Sequence, residues 1–173
     1  MSMSSNVSTI PHRSSRGLPR SAHGVSSHRA SCDKLATERP APLRARNPFQ
    51  VGTWNVRTML APGSASLMAK ELARAKVNIM ALQEVRWSGA GEFDAGGYSF
   101  LWSGPAPGTP RSAGVSLALD RDAYRAMISW HPVNERTIVA DFKHTFGKLH
   151  VVAAYAPPDT ATTVQKRCFL CQT

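Results

Sequence analysis

The 173-residue chain is short of acid, short of cysteine and without any long apolar run. No stretch approaches the roughly 20 apolar residues of a membrane-spanning helix, and no secretory core is visible, so nothing supports a spanning or secreted reading. The three cysteines are Cys32, Cys168 and Cys171, an odd count without framework spacing. The last two form a C-x-x-C, yet they have neither a second pair of zinc ligands nor the strand and helix that frame a redox motif. Chance spacing is the reading, with an intracellular, reducing setting as the default. Acid is scarce: 11 Asp and Glu stand against 21 Lys and Arg, a formal net charge of +10.

That deficit is concentrated at the N-terminus. Residues 1–46 hold eight Lys and Arg against Asp33 and Glu38, a surplus of +6, and no acid precedes Asp33. The stretch is rich in Ser, Arg and Pro and almost devoid of large apolar side chains. Burial cannot offset its ordering entropy, so a disordered tail is expected. Three readings of the tail stay open: a solvated extension, an electrostatic arm for nucleic acid, and an organelle transit peptide. Pro11 and Pro19 interrupt the amphipathic helix that the last would need.

What is present after residue 47 is regular. Residues 49–56 predict a strand, and Pro62-Gly63 a turn with Ser64 as helix N-cap. Leu67, Met68, Leu72 and Ala75 then fall at helical spacing over 65–76. "VNIMALQEV" predicts a second strand whose apolar centre, Ile79 to Leu82, suits burial on both faces. A Gly-rich connection leads to a strand at about 97–102, and "AGVSLALD", "TIVADFKH" and "KLHVVAAYAP" read as three more. The order is a β-α-β unit followed by mainly antiparallel strands, an α+β class.

A right-handed β-α-β crossover makes its two strands parallel, so both end at one sheet edge. Asn55 and Glu84 stand at those exits, and Tyr155 follows the apolar run Val151 to Ala154. Binding groups in layered α/β folds favour that carboxyl edge. Plainer roles exist for each: Asn55 as a loop cap, Glu84 as an exposed strand end paired with Arg57 or Arg86, Tyr155 as a half-buried core aromatic.

The ordered series "GTWNVRTM", "IMALQEVRWSGAGE", "FLWSG", "AGVSLAL", "ERTIVADF" and "VVAAYAPP" resembles the endonuclease/exonuclease/phosphatase superfamily. Within it the series is most similar to LINE-type (non-LTR) retrotransposon endonucleases and craniofacial development protein 2-like sequences, across about residues 49–160. The resemblance implies an α/β sandwich, metal-dependent phosphodiester hydrolysis, DNA (or RNA) as partner and a nuclear setting. It implies Asn55 and Glu84 as holders of Mg²⁺ or Mn²⁺ and the scissile phosphate, and Tyr155 as a phosphate contact. Arg57, Asn134 and Arg136 have a weaker claim as phosphate or nucleic-acid contacts. Arg57 stands where abasic-site endonucleases carry an acid, an exchange shared by the retrotransposon-like group.

The family's D-x-N motif and its C-terminal S-D-H motif do not follow Tyr155, and His131, His144 and His150 all precede it. Loss of one acid–base residue lowers rates by roughly 10²–10⁴. The expectation is therefore a truncated, inactive family member: a tail over 1–46, the N-terminal half of the domain over 47–160, and a remnant over 161–173. A half sandwich with one sheet uncovered, hence an exposed apolar face, is part of that expectation. A non-catalytic nucleic-acid binder, and a phosphatase or RNA nuclease of the same superfamily, are the alternatives.

Overall fold

The computed structural model describes residues 41–43 and 49–172. Most of the expected basic tail and the side chains of Cys168 and Cys171 lie outside the described residues. Strand β1 (Val51–Asn55) leads into helix α1 (Ser64–Arg74) and strand β2 (Ile79–Gln83). Strands β3 (Ala90–Ala95), β4 (Tyr98–Ser103) and β5 (Val115–Leu119) follow. After the short helix α2 (Arg121–Ala126) come β6 (Met127–Asn134), β7 (Thr137–His144), β8 (Gly147–Ala154) and helix α3 (Thr163–Gln172). Among the described residues no helix is long and apolar enough to cross a membrane.

The strands form two sheets, β1-β2-β5-β4-β3 and β6-β7-β8. Among the described strands only β1 and β2 run parallel, in register Val51 to Ile79 through Asn55 to Gln83, and the other strand pairs are antiparallel. The β-α-β unit is thus as the periodicity predicts, and Asn55 and Gln83 end side by side. Its helix starts differently from expectation. Gly63, with φ of 82°, occupies the N-cap position, and the Ser64 hydroxyl turns back to the Ala61 carbonyl at 2.5 Å instead of capping.

The two sheets close on each other, which corrects the expectation of one uncovered sheet. Strands after residue 127 carry their own inward face, so the second layer begins within this chain. Ile79, Ala81, Leu101, Val115, Leu117 and Leu119 of the first sheet meet Met127, Ile138, Ala140, Phe142 and Ala153 of the second. Ala69 and Leu72 of α1 seal the opposite face against Met80, Leu82, Phe100 and Ala118. Central strands β2 and β5 are therefore buried on both sides, as their continuous apolar runs require.

Two strands have no clear counterpart in the sequence pattern. In β3, Glu92 and Asp94 make the segment look like loop, yet Phe93 stacks on Phe100 at 5.4 Å and anchors an edge strand. In β6, Pro132 argues against a strand, but β6 is an edge and its register shifts between Pro132 and Asn134. Residues 41–43, within the stretch expected to be tail, are seated on the fold. Leu43 bridges to His144, donates its N–H to the Lys143 carbonyl at 2.9 Å and is buried in the core between the sheets.

The inter-sheet core sets stability. Phe142 is fully buried there, and Phe142→Ala is expected to cost about 3–5 kcal/mol. Urea unfolding followed by circular dichroism would read this as a lower midpoint at unchanged slope; an unchanged midpoint would deny the sheet-on-sheet packing.

Candidate phosphate and metal site

At the carboxyl edge of the first sheet the chain makes its tightest local bends. Among the described residues four non-glycine residues have positive φ, and three of them, Arg57 (61°), Glu84 (59°) and Arg86 (62°), lie within three residues of the exits of β1 and β2. Such backbone is costly for L-residues and persists where surrounding bonds impose it. Those bonds are visible. Val56 N–H reaches the Gln83 carbonyl at 3.0 Å, and Met59 N–H reaches the Val85 carbonyl at 3.1 Å. The Trp87 indole donates to the Met59 carbonyl at 3.1 Å, so the tryptophan of the W-S-G segment ties the two exits together.

Within that frame Glu84 is the hub. Its Oε1 accepts from Asn55 Nδ2 at 2.7 Å and from the Tyr155 hydroxyl at 3.0 Å. Its Oε2 lies 3.6 Å from Arg86 Nη2. Asn55 is oriented in turn, since its Oδ1 accepts the Arg57 N–H at 3.0 Å. The hydrogen bond from Asn55 holds the Glu84 carboxyl below its ordinary range, with Tyr155 and Arg86 adding to the effect against the opposing effect of burial. Burial and the neighbouring carboxylate push the Tyr155 phenol up. At neutral pH the pair is a carboxylate held by a neutral phenol.

The second sheet completes the site from above. Arg136 stacks its guanidinium 5.0 Å from the centre of the Tyr155 ring, and its carbonyl accepts the Tyr155 N–H at 2.8 Å. Asn134 serves the turn: its Oδ1 accepts the Arg136 N–H at 2.7 Å, and its carbonyl accepts the Ser103 hydroxyl at 2.6 Å. Gly114 joins the two layers, with its carbonyl taking the Val85 N–H and its N–H reaching the Glu135 carbonyl, both at 3.1 Å.

Asn55, Glu84 and Tyr155 are therefore brought together, and Arg136 joins them through Tyr155. Arg57 lines a groove of about 500 Å³ with Trp54, Asn55, Leu67, Met68 and Glu71, which adjoins the site through Asn55. Arg86, considered from sequence only as an ion-pair partner, belongs to the site. Its backbone conformation, which no pattern reveals, sets its place. Two buried guanidinium nitrogens, Arg86 Nε and Arg136 Nη1, have no hydrogen-bond partner. His150 and Asp141 pair at 2.7 Å. They alternate with the inward Leu149, Val151 and Phe142, and so lie on the outer face of the second sheet, away from Glu84.

A divalent cation would meet a sparse donor set at these strand exits. Among the described residues no group of three or more His, Cys, Asp or Glu side chains converges. One ionised carboxylate is present, and a hard cation such as Mg²⁺ commonly takes one or two carboxylates and fills its remaining positions with water and phosphate. The residues fit that mode and no fuller cage.

Two substitutions separate the contributions to Glu84. Asn55→Ala is expected to raise the Glu84 pKa more than Tyr155→Phe does, read by carboxyl NMR titration; the reverse order would displace Asn55 as the main partner. Because the folded pKa is depressed, the stability Glu84 contributes is present above the unfolded value and lost as pH falls through the folded one. Glu84→Gln should flatten that acid limb of a stability–pH profile. Gly114 has φ of 115°, and a Cβ there would stand 3.0 Å from the Arg86 nitrogen. Gly114→Ala is expected to destabilise by about 1–3 kcal/mol, measured by denaturant unfolding, and to broaden the Glu84 and Tyr155 resonances together.

No protein-family model matches the chain. Craniofacial development protein 2 from Bos taurus is 30% identical over 112 residues, covering 65% of this chain and 18% of that protein. The protein of the same name from Tragulus javanicus is 29% identical over 112 residues, covering 65% and 19%. The chain thus spans about a fifth of the length of these curated relatives. A solved AP endonuclease from Leishmania major superposes with a TM-score of 0.51 at 11% identity, covering 81% of this chain and 54% of that one. With a mixed sheet packed on an antiparallel one, the chain is similar in sequence to part of craniofacial development protein 2 and in fold to an AP endonuclease.

Proposed function

We propose that these residues form the cation- and phosphate-holding part of a DNA phosphodiesterase derived from a retrotransposon, and that the 173 residues alone hold DNA without cleaving it. The observation that carries the reading is the convergence of Asn55 and Tyr155 on one oxygen of an ionised Glu84. The AP endonuclease likeness supports the fold, and the W-N-V-R and L-Q-E-V-R-W-S-G series supports the LINE-type branch.

The residues have distinct parts in this reading. Glu84, with Asn55 beside it, would hold Mg²⁺ or Mn²⁺ at the strand exits. Such an ion, when bound, polarises a phosphoryl oxygen and offsets charge on the leaving oxygen. Asn55 and Tyr155 fix the direction of the carboxylate, and the raised Tyr155 pKa keeps the phenol a hydrogen-bond donor. Arg86 and Arg136 would add positive charge beside the carboxylate and the phenol, in favour of a phosphate. The sequence after Tyr155 contains neither D-x-N nor S-D-H, so these residues supply no pair to deprotonate the attacking water. The net charge of +10 favours a second reading, nucleic-acid binding through backbone phosphates without a cation.

A short duplex titrated with and without Mg²⁺ distinguishes them. The expected result is cation-strengthened binding that Glu84→Gln abolishes, with supercoiled plasmid left intact. Nicking that disappears in Glu84→Gln would overturn the proposed inactivity while leaving the site assignment standing. Binding indifferent to both cation and Glu84→Gln would overturn the site and leave the charge-driven binder.

A further inference from the structure

We infer that Trp87 is a positioning residue for the strand-exit site: by gripping Met59 it fixes which way the Asn55 side-chain amide faces Glu84. For its consequence the inference rests on the cation and phosphate reading, whereas the positioning itself stands on bonds within this chain.

An asparagine amide has two unlike ends, a carbonyl that accepts and an NH₂ that donates. Asn55 presents its NH₂ to Glu84 Oε1 at 2.7 Å. Turned over, it would set its carbonyl oxygen against the carboxylate, two acceptors face to face. The other end of the amide forbids that turn, because Oδ1 accepts the Arg57 N–H at 3.0 Å. That N–H is in place only because the chain bends at Arg57, with φ of 61°. Left-handed backbone at a residue with a Cβ relaxes unless its surroundings hold it. The bond from the Thr58 N–H to the Val56 carbonyl, at 2.7 Å, lies inside the bend and moves with it.

The hold comes from Met59, which the segment after Glu84 grips at both of its backbone groups. Its N–H donates to the Val85 carbonyl and its carbonyl accepts the Trp87 indole, both at 3.1 Å. These bonds close a ring: from Glu84 along the chain to Trp87, across to Met59, back to Arg57, through the Asn55 amide and onto Glu84 again. Met59 is buried, so water does not readily replace the indole as its donor. Trp87 is fixed in turn by edge-to-face contacts with Phe93 at 5.2 Å, Phe100 at 6.2 Å and Trp102 at 5.8 Å. The aromatic packing of β3 and β4 thus reaches the site through one N–H.

Trp87→Phe keeps an aromatic ring among those neighbours and removes the N–H. Trp102→Phe is the control: it removes an indole bond to the Ser88 carbonyl, at 3.2 Å in the same cluster, and leaves the ring of bonds intact. In the full chain, Trp87→Phe is expected to move the Asn55 NH₂ signals toward those of free asparagine by NMR. It should also speed hydrogen exchange at the Arg57 amide by about tenfold, the scale of one net hydrogen bond. Trp102→Phe should leave both as they are. Mn²⁺ alone, titrated into the full chain, should bind about tenfold more weakly to Trp87→Phe than to Trp102→Phe. Asn55 signals and Arg57 exchange that ignore Trp87→Phe, or change equally in both variants, overturn the positioning role. If the unaltered chain takes up no Mn²⁺, the cation reading falls, and the Asn55 and Arg57 signals decide the positioning alone. Should Trp87→Phe fail to fold, exchange in the unaltered chain decides. The Trp87 indole N–H and the Arg57 amide should then open together as urea rises, and separate opening overturns the inference.

Discussion

A backbone handshake at Gly114 holds the two layers in register at the end where the polar residues gather. Its carbonyl takes the Val85 N–H and its N–H reaches the Glu135 carbonyl. One glycine therefore links the turn bearing Glu84 to the turn bearing Arg136. The Tyr155 N–H then bonds the Arg136 carbonyl, which carries the connection to β8. Sheet packing alone would leave Glu84 and Tyr155 free to slide relative to each other by the scale of a side chain. The relay of main-chain bonds fixes their oxygens at 3.0 Å. It also explains why a glycine precedes β5, since a Cβ would press on the Arg86 nitrogen.

The strain at this edge and its electrostatics are two sides of one arrangement. Left-handed backbone at Arg57, Glu84 and Arg86 bends the chain sharply just past the ends of β1 and β2. Glu84 then receives two side-chain hydrogen bonds on one oxygen and a guanidinium near the other. A carboxylate so supported stays ionised, and an ionised carboxylate in turn keeps the Tyr155 proton in place. The hydrogen bonds of the folded state offset the conformational penalty, in keeping with the clustering of strained residues at sites that hold a charge.

The parts of the fold carried by local pattern were legible. Pattern predicted β1, α1, β2, β4, β5, β7 and β8; in β2, β4 and β5 the apolar run matches the burial, whereas β1 is mostly exposed. Strands β3 and β6 escaped because edges accept Glu92, Asp94 and Pro132, residues that argue against a central strand. The second layer escaped for a related reason: which sheet a strand joins is decided by long-range packing, such as Phe142 against the β2–β5 face, and leaves no local mark. At the site, parallel pairing predicted that Asn55 and Glu84 would be neighbours, and the structure sets them 2.7 Å apart. Arg86 and Gly114 could not be ranked from sequence, since their importance lies in φ angles and in one pair of main-chain bonds.

The seat of Leu43 has a geometric consequence for the basic stretch that precedes it. Leu43 pairs beside His144, at the far end of β7 from Thr137, which lies opposite Ala154 and next to Tyr155 along β8. Seven residues of strand separate the two ends, about 23 Å at the rise of a β-strand. The chain's main store of positive charge therefore joins the domain at the pole opposite Glu84. The point at which that stretch meets the fold is thus set by Leu43 and stands apart from the strand exits that gather around Glu84.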